Sequence, residues 1–255
     1  MLEENNSKVG LAMGSSVAYC SRMAETTLEA TEQTSRRKPL LVVLTGAGMS
    51  AESGIQTFRA ADGLWENHPI LEVASPAGWR RNPALVLDFY NQRRRKMWSC
   101  EPNDGHRGLV RLEKQFDVRI ITQNVDNLHE RAGSTNIIHL HGELSKARGT
   151  LPPHTVVELG ERDIVLGDTC PHGSQLRPHI VWFGESVMFF EEASAVAEEA
   201  DFFVIIGTSL VVYPAAGLVN YAPPTCPVWL IDPDEDIVSE NDALFANRFF
   251  RHIKR

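Results

Sequence analysis

Apolar runs of strand length recur along the chain, at Pro39-Leu40-Leu41-Val42-Val43-Leu44, Val118-Arg119-Ile120-Ile121-Thr122, Asp201-Phe202-Phe203-Val204-Ile205-Ile206 and Pro227-Val228-Trp229-Leu230-Ile231. Strands apolar on both faces belong in the middle of a parallel sheet, where helices cover both sides. Each run closes on glycine or polar residues: Gly46, Gln123-Asn124, Gly207-Thr208-Ser209 and Asp232. Helical patterns lie between them, for example Pro83 to Tyr90 and Phe190 to Glu199. Strands alternating with helices predict an α/β fold built on a doubly wound parallel sheet. Ligands of such sheets bind beyond the carboxyl ends of the strands, where these polar residues collect. The alternation breaks at about 61–105 and 142–185, which predicts a second, smaller domain. The large part then takes about 38–60, 106–141 and 186–255. Residues 1–37 are polar without a sustained apolar period and read as a flexible extension.

Composition narrows the class. The 255 residues are 43% hydrophobic and 23% charged, as in an ordinary soluble globular protein. The four cysteines, Cys20, Cys100, Cys170 and Cys226, form no CxxC, which excludes a disulfide scaffold. A formal charge of −8 argues against nucleic-acid binding by whole-molecule attraction. No apolar stretch approaches the roughly 20 residues that cross a bilayer. A secretory signal is also unexpected, because Val9 to Ala18 is broken by Gly10, Gly14, Ser15 and Ser16. A cytoplasmic monomer with neither nucleic-acid nor membrane partners is the expectation.

Gly46-Ala47-Gly48-Met49-Ser50-Ala51 follows the first strand and fits GxGxxA, which lets backbone approach a pyrophosphate. Its continuation, Glu52-Ser53-Gly54-Ile55-Gln56-Thr57-Phe58-Arg59, suggests a loop folding over a ligand. Glu66 stands where an acidic ribose ligand would fall, and its context suits a surface charge equally well. Gln123-Asn124-Val125-Asp126-Asn127 sets amides and a carboxylate after a buried strand; it reads as a site or as a capped helix start, with Asn124 or Asp126 as N-cap. In His139-Leu140-His141-Gly142 alternate residues face opposite ways, so at most one histidine lines a site. His141, beside the glycine, has the better access as a general base. Pro178 and Gly184 make Arg177-Pro178-His179-Ile180-Val181-Trp182-Phe183-Gly184-Glu185 an edge segment suited to an added peptide strand. Tyr90 and Arg93 share a helix face and together suit a carboxylate; the run Arg93-Arg94-Arg95-Lys96 is otherwise a solvated surface.

In this order GAGMSAESGIQTFR, TQNVDNLH, HLHG, RPHIVWFGE and GTSLVVYPA resemble the sirtuins over about residues 40–250, and TFRAADGLWENHP with FYNQRRR resembles the bacterial class III type. The resemblance implies an NAD-dependent protein-lysine deacylase with a Rossmann-like large domain, a small domain, and acylated-lysine proteins or peptides as partners. It assigns the phosphate turn and cofactor loop to Gly46, Ala47, Gly48, Ala51, Glu52, Thr57, Phe58, Arg59 and Trp65. Gln123 and Asn124 would hold ribose hydroxyls and a water, and Asp126 the nicotinamide carboxamide. Gly207, Thr208 and Ser209 would meet the adenosine, with Asp232 near its ribose. Val181, Trp182 and Phe183 would line the acyl-lysine tunnel, while Gly184 and Glu185 pair with substrate backbone. Tyr90 and Arg93 would bind the terminal carboxylate of succinyl, malonyl or glutaryl groups, implying desuccinylation beside deacetylation. In the implied mechanism the acyl oxygen attacks the nicotinamide ribose and nicotinamide leaves; His141 then acts as general base on a ribose hydroxyl, Asn124 is the second catalytic residue, and water completes the transfer. The products are deacylated lysine, nicotinamide and O-acyl-ADP-ribose.

Two departures from the family pattern stand out. Most sirtuins hold a structural zinc with two CxxC pairs. Here only Cys170 lies in that region, and Arg148, Gly149 and Thr150 occupy about the place of the first pair. No metal is expected, the module being held instead by Leu159, Ile164, Val165 and Leu166. The family also continues beyond the equivalent of Phe249 to Arg255, so weakened cofactor binding and an NAD-binding protein without turnover are competing expectations. An ADP-ribosyltransferase or a hydride-transferring dehydrogenase on the same nucleotide fold is a third, because fold does not fix function.

Overall fold

The computed structural model describes residues 37–57, 64–65, 68–245 and 248–254. Its strands are β1 (Leu40–Thr45), β2 (Leu64–Trp65), β3 (His68–Pro69), β4 (Asp117–Thr122), β5 (Ile137–His139), β6 (Gly142–Gly149), β7 (Val156–Glu158), β8 (Leu176–Ile180), β9 (Phe202–Ile206), β10 (Val228–Ile231) and β11 (Phe250–Ile253). Six of them form one sheet in the order β11-β10-β9-β1-β4-β5, parallel throughout. The four apolar runs are its four central strands. Leu40 to Thr45 are buried without exception, as the centre of a two-sided sheet demands.

One face of the sheet buries Leu40, Val42, Leu44, Phe203, Ile205, Val228 and Leu230 against the helix Phe190–Glu198 and the 3-10 helix Ala215–Tyr221. The other buries Leu41, Val43, Val118 and Ile120 against Leu109 of the helix Asp104–Leu112. The chain leaves β1 toward β4 on one side and returns to β9 on the other. By the rule for such sheets, this reversal between β1 and β9 places the ligand crevice beyond their carboxyl ends.

Beside the large sheet, β7-β6-β8 form a small antiparallel sheet with β8 at an edge and Pro178 inside it, as its sequence predicts. The helix Pro83–Trp98 packs on it through Val86, Phe89, Tyr90 and Met97, which meet Leu144, Ile180 and Trp182. A second cluster joins Leu87, Ala147, Leu159, Ile164, Cys170 and Leu176. Of the four residues expected to hold this module, Leu159 and Ile164 are buried. Val165 and Leu166 are instead exposed by more than half, because the chain turns outward after Ile164, where Val165 N–H donates to the Asp168 carboxylate.

A polar layer lies under the crevice. Thr45 Oγ1 donates to Thr122 Oγ1 at 2.8 Å and meets His129 Nε2 at 3.1 Å, and the His129 ring contacts that of His106 at 4.8 Å. Both histidines are buried. Burial lowers the pKa of His106 to about 4, helped by Arg107, and that of His129 to about 3, helped by His106. Both are therefore neutral in the folded protein, whereas the unfolded chain takes up protons below about pH 6.5. Since the folded pKa values are depressed, the unfolded state binds more protons, and stability falls as pH drops from about 6.5 toward 4. Each histidine contributes up to about 1 kcal/mol per pH unit. Urea denaturation at pH 7, 6 and 5 should show this decline, and His129→Leu should flatten it; identical slopes in the two proteins would refute the assignment.

Candidate active site at the carboxyl ends of the strands

Three glycines interlock where β1 and β9 end. Gly48 N–H donates to the Gly207 carbonyl at 2.8 Å, and Gly46 N–H to that of Ile206 at 3.0 Å. A Cβ on Gly48 would lie 2.7 Å from Gly207 Cα, and one on Gly207, whose φ is +61°, 2.3 Å from Met49 N. Only side-chain-free backbone allows the two turns to meet. The sequence then continues as a 3-10 helix, Ala47–Ser53, with Gly48, Ala51 and Glu52 exposed on the crevice-forming turn and Thr57 half-buried beyond it. Phe58 and Arg59, the Trp65 side chain and Glu66 lie outside the described residues.

The segment after β4 is the hub. The Gln123 side-chain amide donates to Thr208 Oγ1 at 3.1 Å, tying the ends of β4 and β9 together. Asn124 N–H donates to Thr122 Oγ1 at 3.0 Å, and its side-chain amide to Ser50 Oγ at 3.2 Å. Ser50 in turn donates to Asp126 Oδ2 at 2.9 Å, while Leu128 N–H donates to Asp126 Oδ1 at 3.1 Å. Asp126 thus supports the start of the helix Leu128–Ala132 through Leu128 N–H while also accepting from Ser50. The N-cap position itself falls on Asn127, which makes no side-chain cap bond, so the N-cap expectation for Asn124 or Asp126 is corrected. Burial raises the pKa of Asp126, and the Leu128 and Ser50 bonds offset this only in part.

The two histidines separate as alternation requires. His139 is buried, its Nδ1 bonded to the Asn124 carbonyl at 3.2 Å and its Nε2 to the Glu130 carboxylate at 2.6 Å. Burial opposes its charged form, but Glu130 outweighs this and raises its pKa. His141 is half-buried and donates from Nδ1 to the Gln123 carbonyl at 3.0 Å. That bond fixes the tautomer, leaving the lone pair on Nε2. Desolvation lowers the pKa of His141 despite this bond, so the ring is neutral near pH 7.

Across from the sheet, Tyr90 and Trp182 are buried, and the Trp182 indole N–H donates to Tyr90 Oη at 3.1 Å. Arg93, also buried, lies 3.2 Å over the Phe89 ring and donates to the Phe89 carbonyl. Phe183 and Gly184 are exposed, and Val181 N–H donates to the His141 carbonyl at 2.9 Å, which joins this segment to the histidine. The Glu185 carboxylate faces inward, accepting from Arg177, Arg148 and the Trp182 N–H. Its burial would raise its pKa, but those donors lower it. Asp232 ends β10 beyond β9, where its carboxylate accepts from Asp234 N–H at 2.9 Å, and Ser209 is exposed nearby in the chain after β9.

Sequence reasoning passed over Ser50, Thr45, Thr122, His129, Glu130 and Arg177. For Ser50 the signal was available: a hydroxyl inside the glycine turn, entirely buried, has to find a polar partner.

The Cys170 region does not fit a thiolate zinc site. Cys170 is buried in the small apolar cluster, with Sγ 3.2 Å from Ser174 Oγ, and a Cβ on Gly149 would come within 3.0 Å of that sulfur. His154 Nδ1 is bonded to the Gly149 carbonyl. Among the described residues the group whose ligand atoms gather closely enough for a metal is Glu130, His139 and Glu143, and there the Glu130 carboxylate already bonds His139 Nε2 while Glu143 pairs with Lys146.

The Sir2 family model matches residues 46–214. A Bacteroides thetaiotaomicron protein named NAD-dependent protein deacylase is 59% identical over 198 residues, spanning 76% of this chain and 85% of the relative. A Helicobacter pylori protein of the same name is 57% identical over 193 residues, spanning 76% and 84%. Among solved structures, a Sir2 homologue in complex with NAD is similar at a TM-score of 0.73 and 38% identity, over 84% of this chain and 83% of that one.

Proposed function

The chain belongs to the Sir2 family, and on that premise we propose that it is an NAD-dependent protein-lysine deacylase acting on succinyl and malonyl as well as acetyl groups. The observation that carries the reading is the convergence of His141, Asn124, Asp126 and Gln123 at the carboxyl ends of the strands, beside the interlocked glycine turns. The groups present fit NAD. Glycine backbone suits a pyrophosphate, hydroxyls and amides suit the riboses, and a buried carboxylate suits the N–H donors of a carboxamide. Bound NAD supplies the labile bond between nicotinamide and ribose that drives the transfer.

The chain's own residues do the rest. His141 Nε2 takes a proton from a hydroxyl presented in the crevice, and the Gln123 carbonyl stabilises the imidazolium that results. Asn124, held through Ser50, orients hydroxyls or water near that nitrogen. Gly46, Ala47, Gly48, Ala51, Glu52 and Thr57, with Phe58, Arg59 and Trp65, serve the cofactor loop, and Gly207, Thr208, Ser209 and Asp232 its adenosine end. Val181, Trp182 and Phe183 shape the lysine tunnel, and the exposed backbone at Gly184 meets the peptide. Glu185 N–H already donates to the Trp182 carbonyl, so the Glu185 contribution is to hold that turn. Tyr90 and Arg93 take acyl groups that end in a carboxylate. The same reading makes the protein a cytoplasmic monomer with acylated proteins or peptides as its partners.

The test is to incubate the full chain with NAD and succinyl- or acetyl-lysine peptide and follow peptide mass and nicotinamide. One nicotinamide per acyl group removed is expected. A mass gain on protein would point to ADP-ribosyl transfer, reduced cofactor to a dehydrogenase, and binding without turnover to a non-catalytic protein. The reading also takes the small module to stand without zinc. Metal analysis should give well under one zinc per chain, and a chelator should leave Tm and activity unchanged; stoichiometric zinc would refute it.

A further inference from the structure

Trp182 and Tyr90 are 92 positions apart in the chain, yet their polar atoms meet inside the small module. An indole nitrogen has only a proton to offer, so at this contact the phenol oxygen is the acceptor. The proton of Tyr90 is then the one it gives, which is the polarity a carboxylate requires. Burial raises the Tyr90 pKa far above that of an ordinary phenol, so the hydroxyl keeps that proton.

The indole is itself gripped. The Arg177 guanidinium lies 3.3 Å from the centre of its ring, and Trp79 packs against it at 5.8 Å. Arg177 reaches both oxygens of Glu185, at 2.7 and 2.9 Å, and the Ile180 carbonyl at 2.8 Å. Glu185 closes the ring by accepting the Trp182 backbone N–H at 2.9 Å. A planar guanidinium held at this many points is a fixed lid on the indole.

We propose that Trp182 is a positioning residue for acyl selectivity: its indole N–H, with the ring fixed by Arg177 and Glu185, sets Tyr90 as a donor toward acyl groups that end in a carboxylate. The proposal rests on the reading of Tyr90 and Arg93 as the carboxylate pair. An acetyl group presents no carboxylate, so the Trp182–Tyr90 bond should matter to one substrate class and little to the other.

The experiment is a double-mutant cycle on the full chain, with kcat and KM measured for succinyl- and acetyl-lysine peptides in wild type, Tyr90→Phe, Trp182→Phe and the double variant. Trp182→Phe should lower the succinyl-to-acetyl ratio of kcat/KM by about five- to tenfold, the worth of one neutral hydrogen bond, chiefly through KM for the succinyl peptide. In the Tyr90→Phe background it should lower the ratio no further. Arg177→Lys, which keeps the charge beside Glu185 but loses the flat stack, should move the ratio the same way by less, and it stands in should Trp182→Phe not fold. An unchanged ratio in Trp182→Phe, or a fully additive double variant, overturns this proposal alone. An unchanged ratio in Tyr90→Phe overturns the carboxylate reading and this proposal with it.

Discussion

Replacing His141 with Ala should lower kcat for deacylation by about 10²–10⁴-fold, the range for loss of a general base, with Tm little changed. The size follows from the site. The ring is neutral at working pH because desolvation lowers its pKa, and its tautomer is set by the Gln123 carbonyl, so Nε2 is ready to take a proton without rearrangement. No other described side chain at the strand ends matches it: Asp126 is occupied by Ser50 and Leu128, and His139 by Glu130 and the Asn124 carbonyl. The same depressed pKa predicts that the acid limb of kcat/KM in the wild type lies below the ordinary histidine value of about 6.5. A full rate in His141→Ala, or an acid limb above pH 7, would remove His141 from the role of base.

The second large effect is on substrate choice. Arg93→Met should reduce kcat/KM for succinyl-lysine peptide by at least about 30-fold, because losing one partner of a desolvated charge pair costs roughly 2–5 kcal/mol. Activity on acetyl peptide should fall far less. Arg93 is buried and stacked on Phe89, so its charge is poorly screened and an anion beside it gains more than it would at the surface. Methionine preserves much of the apolar contact with Phe89, which keeps a packing defect from imitating the loss of the charge. Equal losses on the two peptides would sink the assignment.

The buried centre of the molecule was legible because its pattern is self-evident in one dimension. The strands β1, β4, β9 and β10 are apolar runs whatever surrounds them. The others are not. The stretch Gly142–Gly149 carries Glu143, Ser145, Lys146 and Arg148, and Phe250–Ile253 holds the adjacent pair Arg251 and His252; such segments become strands only through the partners they pair with. The site divides along the same line. Gly46, Gln123, Asn124, His141 and Gly207 sit at strand ends and announce themselves by position. The residues that hold them, Ser50 to Asp126 or Arg177 to Trp182, act through side-chain contacts that a linear reading does not contain. Val165 and Leu166 show the converse error, since an apolar residue in a surface turn has the same letter as one in a core.

The Gln123–Val125 segment has one further property. It has neither helix nor strand geometry, yet the N–H groups of Gln123 and Asn124 donate to Thr45 and Thr122, and the three carbonyls accept from His141, His139 and Leu144. Ordering three such residues costs about 3–6 kcal/mol of conformational entropy. In this protein that freedom is lost when the chain folds and not when a ligand arrives, so binding energy gained at the loop goes undiminished into affinity.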